Sequence, residues 1–309
     1  MSVTLETPTL PWSDAVAAFL YTRQWEDHCS PHTLAGHVSD LTQFARHLDS
    51  QDHPVSLTSL TGPVIRAYLA ALAQAGRKPK TIKHHLTTLR EFTRYLTHEG
   101  AITDTWTTLI KGPRIVERRA DPLTPEEVQH FLAVIPRYTV VGERDHCLFR
   151  LFLLTGLRIG EMLALTLSDC RLADHVLIVR HGKNDKDRVV PLTAAIVDTL
   201  THYIQSVRPA FVHPNSPPAL FLSRYGRPLV ATSTRDRVRY YAALAGLGSR
   251  QIHPHQFRAT FATRLDQTGT NVTVIQELMG HAHIETTSRY VGIAPQQMRE
   301  AVERLPALD

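Results

Sequence analysis

Residues 155–161 place an arginine where it needs an anionic partner. Arg158 follows Gly156, which ends one helix, and it begins the next helix within an otherwise apolar region. A guanidinium in that setting must find a carboxylate or another anion, because burying an unpaired charge is costly. Glu161 lies three residues further on, so an ion pair within the helix is the simpler explanation of this segment taken alone, and an external anion is the alternative.

Two later segments carry further groups that bind anions or transfer protons. Residues 253–258 read His-Pro-His-Gln-Phe-Arg, and a helix that begins after Pro254 puts His255 and Arg258 on one face. Gly280 has the sequence position of a glycine that ends a helix, which places His281 in the following turn. Tyr290 follows nine residues later. Taken singly, a helix-terminal histidine and a surface or core tyrosine explain these residues equally well.

A charged β-hairpin is predicted between Arg158 and His255. The apolar residues 175–179 and 188–192 indicate two strands, and the polar residues 182–186 indicate the turn between them. Lys183 follows Gly182 directly, and Lys186 is the second lysine of the turn. An ammonium group at a hairpin tip can donate a proton to a departing oxygen.

Along the chain these groups follow one another as an arginine, a hairpin lysine, a His-x-x-Arg segment, a Gly-His pair and a tyrosine. In this order and spacing, they make the chain resemble the tyrosine recombinase (phage integrase) family, and within it the Xer-like site-specific recombinases. The resemblance covers nearly the whole chain. The catalytic residues that it implies are Arg158, Lys183, His255, Arg258, His281 and Tyr290. It also implies that Glu161 supports the first arginine, and it matches Lys186 to a second, non-catalytic lysine. Ala259 departs from the family pattern, which often has histidine after the second arginine.

The residue types suit cleavage of a phosphodiester. Two arginine forks can hold both non-bridging oxygens of the transition state. A phenol has a pKa near 10, so Tyr290 needs a proton acceptor, for which His255 is the candidate. Lys183 can protonate the departing 5′-oxygen, and His281 can bond a phosphate oxygen. The product is a 3′-phosphotyrosyl intermediate, and the chemistry requires no metal and no other cofactor.

The surrounding elements predict a mainly α fold with a small β-sheet. Residues 1–108 show four apolar stripes of helical period, predicting a helical N-terminal domain. Two of these stripes are Leu34, Val38, Leu41, Ala45 and Leu48, and Ile82, Leu86, Leu89, Phe92 and Leu96. The resemblance implies that this domain is the core-binding (SAM-like) DNA-binding domain of the family. The stretch 109–122 is polar and rich in arginine, as expected of an interdomain linker. Thr124 and Pro125 begin the next helix, so a second domain of mixed α+β structure is predicted over 123–293. The resemblance implies that it is the catalytic domain.

The tail, residues 294–309, is predicted to form a short amphipathic helix. Met298, Ala301, Val302 and Leu305 recur at helical spacing. Packing onto its own domain is the simpler interpretation. The family resemblance implies instead that the helix docks into a neighbouring protomer.

A one-sided row of basic residues predicts contact with DNA. On the fourth helix, Lys83, Thr87, Arg90 and Arg94 share one face, and Lys80 precedes them. Most charged helix faces are simply solvated, but here the sign is uniform, which favours phosphate binding. The linker cations Arg114, Arg118 and Arg119 are expected to lie across a duplex held between two domains. Arg235, Arg237 and Arg239 form another cluster, for which DNA contact and ordinary surface charge are about equally good explanations.

Composition agrees with this assignment. The chain has 309 residues, 34 Lys plus Arg against 29 Asp plus Glu, and a formal charge of +5, which hints at an anionic partner. Its three cysteines lie far apart, and neither a secretory signal nor a membrane span is apparent, so a cytoplasmic location is expected.

The resemblance implies site-specific recombination, for integration and excision or for dimer resolution, through a Holliday junction. The implied partners are double-stranded DNA with paired inverted half-sites and a homotetramer, or a heterotetramer with a paralogue. Three alternatives stay open at the level of sequence. They are a type IB topoisomerase-like enzyme, a DNA-binding regulator without catalysis, and a metal hydrolase using the His-x-His pairs at 253 and 281. The intact set of six residues speaks against the regulator, and the absence of His-Glu-x-x-His and His-x-x-Glu-His spacings speaks against the hydrolase.

Overall fold

The computed structural model describes residues 10–104, 106–115, 121–180, 187–250, 252–280 and 295–306. It divides the chain into two compact units, residues 1–118 and 119–309. The described residues form twelve α-helices and one three-stranded sheet. The predicted fold class, mainly helical with a small sheet, is confirmed.

The first unit contains the four predicted helices. They are α1 (Trp12–Trp25), α2 (Pro31–Ser50), α3 (Gly62–Gln74) and α4 (Pro79–His98). Ser30 caps α2 by accepting a hydrogen bond from the Thr33 amide at 3.2 Å. The apolar stripe predicted for α4 is buried at every position, namely Ile82, Leu86, Leu89, Phe92 and Leu96. Ile110, which lies in the predicted linker, packs into this unit's core.

The stripe predicted for α2 is only partly right. Leu41 and Leu48 are buried, but Val38 is 45% exposed, and His37 and Asp40 point into the core instead. The core face of α2 is therefore rotated towards polar residues, which hydrophobic periodicity does not detect.

These polar residues meet α3 and α4 in a buried hydrogen-bonded cluster. Asp40 accepts a hydrogen bond from the Thr88 hydroxyl at 2.7 Å. His85 Nδ1 lies 3.1 Å from Asp40 Oδ1 and 3.1 Å from the Tyr68 hydroxyl. Burial lowers the pKa of His85 and of His37, against the opposing effect of nearby carboxylates. The cluster thus ties three helices together with neutral imidazoles.

The second unit begins with three helices: α5 (Pro125–Ala133), α6 (Val140–Thr155) and α7 (Ile159–Ala164). Thr124 forms the N-cap of α5, with a capping box to Glu127. Helix α6 is buried over most of its length. It ends where Gly156 adopts the left-handed conformation, and a Cβ at this position would clash with Phe261.

An antiparallel sheet follows α7. Its strands are β1 (Cys170–Arg171), β2 (Val176–Val179) and β3 (Arg188–Pro191), in that order. The predicted hairpin is confirmed, with Val179 opposite Arg188 at its base. Its strands are slightly shorter than predicted because His175 has a positive φ of 55° and the pairing ends at Pro191. The two residues of β1 are too few to give an alternating pattern, so no sequence signal predicts that strand.

The remaining helices complete the second unit. They are α8 (Ala194–His202), α9 (Ala231–Leu244), α10 (Pro254–Gln267), α11 (Val272–Met279) and α12 (Pro295–Glu303). Helix α10 packs on α6, and Gly280 ends α11 with a φ of 60°, as predicted. The tail helix α12 buries Ala301 and Val302 in its own unit, and Leu305, just after the helix, is buried there as well. Docking of this helix into a neighbour stays a prediction.

In the part of the chain that the structure describes, no helix has the length and apolar character needed to cross a bilayer.

Candidate active site

Several element ends converge on one set of charged side chains. The end of α6, the start of α7, the start of β3, the first turns of α10 and the end of α11 all contribute. The residues that meet there are Arg158, Glu161, Arg188, Arg258 and Gly280. The C-terminal ends of α6 and α11 supply backbone carbonyls that are not used within a helix, and these carbonyls orient the arginines.

Arg158 is held at two points and remains partly exposed. Its Nη1 donates to Glu161 Oε1 at 2.7 Å, and its Nη2 donates to the Gly280 carbonyl at 2.9 Å. The side chain is 36% exposed. The ion pair with Glu161 that the sequence allows is therefore present, and it leaves further N–H groups of Arg158 available to an anion.

Arg258 is buried, with 4% exposure, beside Arg158. Its Nη1 donates to the Gly156 carbonyl at 2.6 Å, and its Nη2 donates to the Met279 carbonyl. Burial lowers the pKa of Arg258 to about 10, and the neighbouring Arg158 adds to the decrease. At neutral pH the group is still cationic, and an anion brought to it would relieve its unfavourable burial.

Glu161 is the acceptor that joins this cluster. Oε1 accepts from Arg158 and Arg188, and Oε2 accepts from the Arg158 amide at 2.9 Å and from Arg188 Nη2 at 2.8 Å. Burial alone would raise the pKa of Glu161, but the hydrogen bonds from Arg188 and Arg158 outweigh it and lower the pKa to about 2. The carboxylate is therefore ionised at any physiological pH.

Arg188 is the member of the cluster that the sequence analysis did not single out. It is the first residue of β3, and its side chain is 12% exposed. Along this strand Arg188 lies on the same face as the buried Val190, while Val189 is 50% exposed. A charged residue on the buried face of a predicted strand is the signal that could have found it.

His255 lies in the first turn of α10, as predicted, on an exposed part of the surface. It borders a groove of about 540 Å³ that is also lined by His253, Arg235 and Arg239. Arg237, the third arginine of the α9 cluster, instead forms an ion pair with the buried Asp145. The α9 cluster thus has two exposed cations at the groove and one with a structural partner.

Several predicted site residues lie outside the described residues. They are Lys183, its rival Lys186, His281, Tyr290 and the linker residues Arg118 and Arg119. Of the predicted site residues that the structure describes, Arg158, Glu161 and Arg258 meet in one cluster with Arg188, and His255 borders the neighbouring groove.

The basic row on α4 is exposed at most of its positions. Lys80, Lys83 and Arg94 are exposed, as is Arg114 beyond the helix. Arg90 differs because it is partly buried and donates to the Ile110 carbonyl. One of the predicted DNA contacts therefore also has a structural bond within the first unit.

Chemically, the arrangement is a preorganised cationic site. Met279 and Gly280 are consecutive, and each carbonyl accepts from one arginine. Two guanidinium groups are thus held at neighbouring carbonyls, one of them buried and the other partly exposed.

The sequence matches the phage integrase family over residues 122–297. It also matches the phage integrase N-terminal SAM-like domain over residues 16–100. The chain belongs to the phage integrase family. Its catalytic fold and its helical N-terminal fold are both those of this family, as the sequence resemblance implied.

Curated relatives agree with this membership. This integrase-family chain is 31% identical over 291 residues to tyrosine recombinase XerC of Chlamydia caviae, covering 89% of this chain and 92% of the relative. It is 32% identical to tyrosine recombinase XerC of Alcanivorax borkumensis, covering 93% of this chain and 92% of the relative. It is 30% identical to tyrosine recombinase XerD of Proteus mirabilis, covering 92% and 90%. The chain is a tyrosine recombinase, an enzyme of site-specific DNA recombination.

Solved structures share the fold at lower identity. The XerH site-specific recombinase bound to palindromic difH substrate superposes with a TM-score of 0.72 at 20% identity, covering 92% of this chain and 93% of that one. A lambda integrase dimer bound to a COC′ core site gives 0.67 at 19% identity, covering 90% and 98%. The hydrolase, topoisomerase and regulator alternatives are not favoured by any of these comparisons.

Proposed function

We propose that this tyrosine recombinase cleaves one DNA strand by attack of Tyr290 on a phosphate held by Arg158 and Arg258. The observation that carries the proposal is the attachment of both guanidinium groups to consecutive carbonyls, those of Met279 and Gly280. Two planar forks fixed side by side match the two non-bridging oxygens of a phosphodiester. Glu161 holds the more exposed fork in place.

Strand cleavage and rejoining need no reactant other than the protein and the DNA. The Tyr290 oxygen forms a bond to phosphorus, its proton passes to His255, and the 5′-oxygen leaves with a proton from Lys183. His281 bonds a phosphate oxygen and stabilises the charge that develops there. Attack of a 5′-hydroxyl on the phosphotyrosyl group reverses these steps and joins a new pair of ends. In this scheme the arginines supply the positive charge, so strand cleavage is independent of added metal.

The proposed substrate is double-stranded DNA with paired inverted half-sites. The exposed cations of α4, together with Arg114, Arg118 and Arg119, support contact with the phosphate backbone. The neighbour XerH is described as bound to a palindromic substrate, which agrees with such half-sites. We propose a tetramer on two duplexes, of one chain or with a paralogue, that exchanges strands through a Holliday junction.

The division into a DNA-binding domain at 1–108, a linker at 109–122, a catalytic domain at 123–293 and a tail at 294–309 belongs to the same proposal. The cytoplasm is the proposed location, in keeping with three free cysteines.

Single-turnover cleavage of a nicked full-site DNA tests the proposal. Arg158→Ala and Arg258→Ala should each slow cleavage about 100-fold or more, as loss of one preorganised donor to a transition state does. Arg180→Ala is the matched control, because Arg180 pairs with Asp169 in the same unit and does not contact Glu161. A chelator should leave the native rate unchanged. Native rates in both arginine variants, or loss of activity that only a divalent metal restores, would overturn the proposal.

A further inference from the structure

Arg188 donates two hydrogen bonds to the carboxylate of Glu161, the residue that positions Arg158. Its Nη1 lies 3.0 Å from Glu161 Oε1, and its Nη2 lies 2.8 Å from Oε2. This is a two-point contact between the planar guanidinium and the planar carboxylate, which fixes orientation as well as distance. Arg158 has no such two-point contact, since its guanidinium reaches only Oε1.

The position of the Glu161 carboxylate determines which N–H groups of Arg158 remain available to bind a phosphate. Glu161 Oε2 accepts the Arg158 amide, and Oε1 accepts Arg158 Nη1. With Arg188 removed, the Glu161 carboxylate would be able to rotate and accept hydrogen bonds from both Nη groups of Arg158. Arg158 Nη2 would then leave the Gly280 carbonyl, and the guanidinium would turn away from its neighbour Arg258.

Gly280 lies next to both Arg188 and Arg158. A Cβ at this position would lie 2.9 Å from Arg188 Cζ and 2.9 Å from Nη1. The Gly280 carbonyl meanwhile accepts from Arg158. The end of α11 therefore touches both arginines, and the absence of a side chain at Gly280 leaves room for the Arg188 guanidinium.

We infer that Arg188 is a positioning residue for DNA cleavage, which acts by holding Glu161 so that Arg158 faces the phosphate. The inference rests on the proposed function, in which Arg158 binds the scissile phosphate. Arg188 stands opposite Val179 at the base of the hairpin that carries Lys183. It thus ties the base of that hairpin to the first phosphate-binding arginine.

The first test compares single-turnover cleavage and half-site binding in the full-length protein. Arg188→Ala should cleave about 10–100-fold more slowly, as loss of an outer-shell partner typically does, with an unchanged Kd for a half-site. Arg188→Lys should recover part of the rate, since it restores the charge but not the two-point contact. Arg180→Ala again serves as the control, and its rate should be native.

A double-mutant cycle separates positioning from a general structural effect. In an Arg158→Ala background, followed over long time courses, adding Arg188→Ala should produce no further decrease in rate, because Arg188 then has nothing to position. Equal losses in both backgrounds would overturn the inference and leave the proposed function intact. A native rate in Arg188→Ala would do the same.

Native cleavage by Arg158→Ala alone would overturn the proposed function, and the inference with it. If Arg188→Ala does not fold, as judged by its thermal unfolding, Arg188→Gln and Arg188→Lys replace it in the same cycle, with the same outcomes deciding.

Discussion

Arg158 and Arg258 have the same chemistry but different surroundings. Arg258 is buried and bonded to two carbonyls, whereas Arg158 is 36% exposed and bonded to one carboxylate and one carbonyl. Removing Arg258 would leave the Gly156 and Met279 carbonyls without these donors, so its variants report on folding as well as on catalysis. Arg158 is the cleaner residue for measuring the contribution of phosphate binding.

Glu161 gives a pH-dependent prediction. Its pKa is lowered in the folded protein to about 2, while the unfolded chain has an ordinary value near 4.5. The ionised form therefore stabilises the fold above about pH 4.5, and this contribution disappears as the pH falls towards 2. A shift of this size corresponds to about 3 kcal/mol.

The measurement is urea unfolding of native protein and Glu161→Gln at several pH values between 7 and 3. The difference in free energy of unfolding should be constant from pH 7 to 5 and then shrink. A difference that does not depend on pH would contradict the assigned ionic role.

At the scale of elements, α4 presents two distinct faces. One face carries the apolar residues together with His85 and Thr88 of the buried cluster, and the other carries Lys80, Lys83 and Arg94. The buried face fixes the rotation of the helix about its axis. The exposed cations are therefore displayed in one direction, as binding to a phosphate backbone requires.

Lys83→Ala should weaken half-site binding and make it less dependent on salt. Loss of one phosphate contact should reduce the slope of log K against log salt concentration by about 1. Arg46→Ala is the matched control, since Arg46 is an exposed cation on α2. Fluorescence anisotropy with labelled half-site DNA from 50 to 300 mM salt gives both slopes. Equal slopes for Lys83→Ala and native protein would remove α4 from the proposed interface.

Sequence patterns predicted the elements well where one physical signal dominated. The stripe of α4, the capped start of α5 and the glycine ends of α6 and α11 are all as predicted. The patterns gave a wrong prediction where the stabilising contacts join residues that are distant in the sequence. The hydrogen-bonding partners of the buried His37 and Asp40 lie about 50 residues away: Thr88 contacts both residues, and His85 contacts Asp40.

The same reason explains Arg188. Its importance depends on Glu161, 27 residues earlier, and on the open space beside Gly280, 92 residues later. The individual site residues Arg158, Glu161 and Arg258 could be named from spacing and family resemblance. The carbonyls that orient them could not, because backbone groups leave no trace in residue identity.

At the scale of the whole molecule, the tail helix α12 is the element predicted to join one chain to its neighbour on DNA. Helix α12 lies on its own unit, where Arg264 also donates to the Pro306 carbonyl at 2.5 Å. Thr273 of α11 and Arg304, just after α12, line one cavity of about 430 Å³. This pair of positions can distinguish a helix that stays on its own unit from one that is exchanged between chains.

The prediction uses two single-cysteine additions, Thr273→Cys in one preparation and Arg304→Cys in another. Mixed on full-site DNA and treated with a short thiol crosslinker, they should form a covalent dimer if α12 docks into a neighbour. The same two substitutions within one chain control for the intramolecular arrangement, which should crosslink without DNA. Native protein, which retains its three cysteines, sets the background. Absence of crosslinked dimer on DNA would contradict exchange of the tail.

In the proposed mechanism, DNA becomes covalently attached to Tyr290 while Arg158 and Arg258 hold the phosphate. The most direct measurement traps the protein on a nicked full-site DNA and identifies the modified peptide by mass spectrometry. We predict a nucleotide adduct on Tyr290 in native protein and no adduct in Tyr290→Phe, which should still bind the DNA. An adduct on another residue, or one that persists in Tyr290→Phe, would contradict the account.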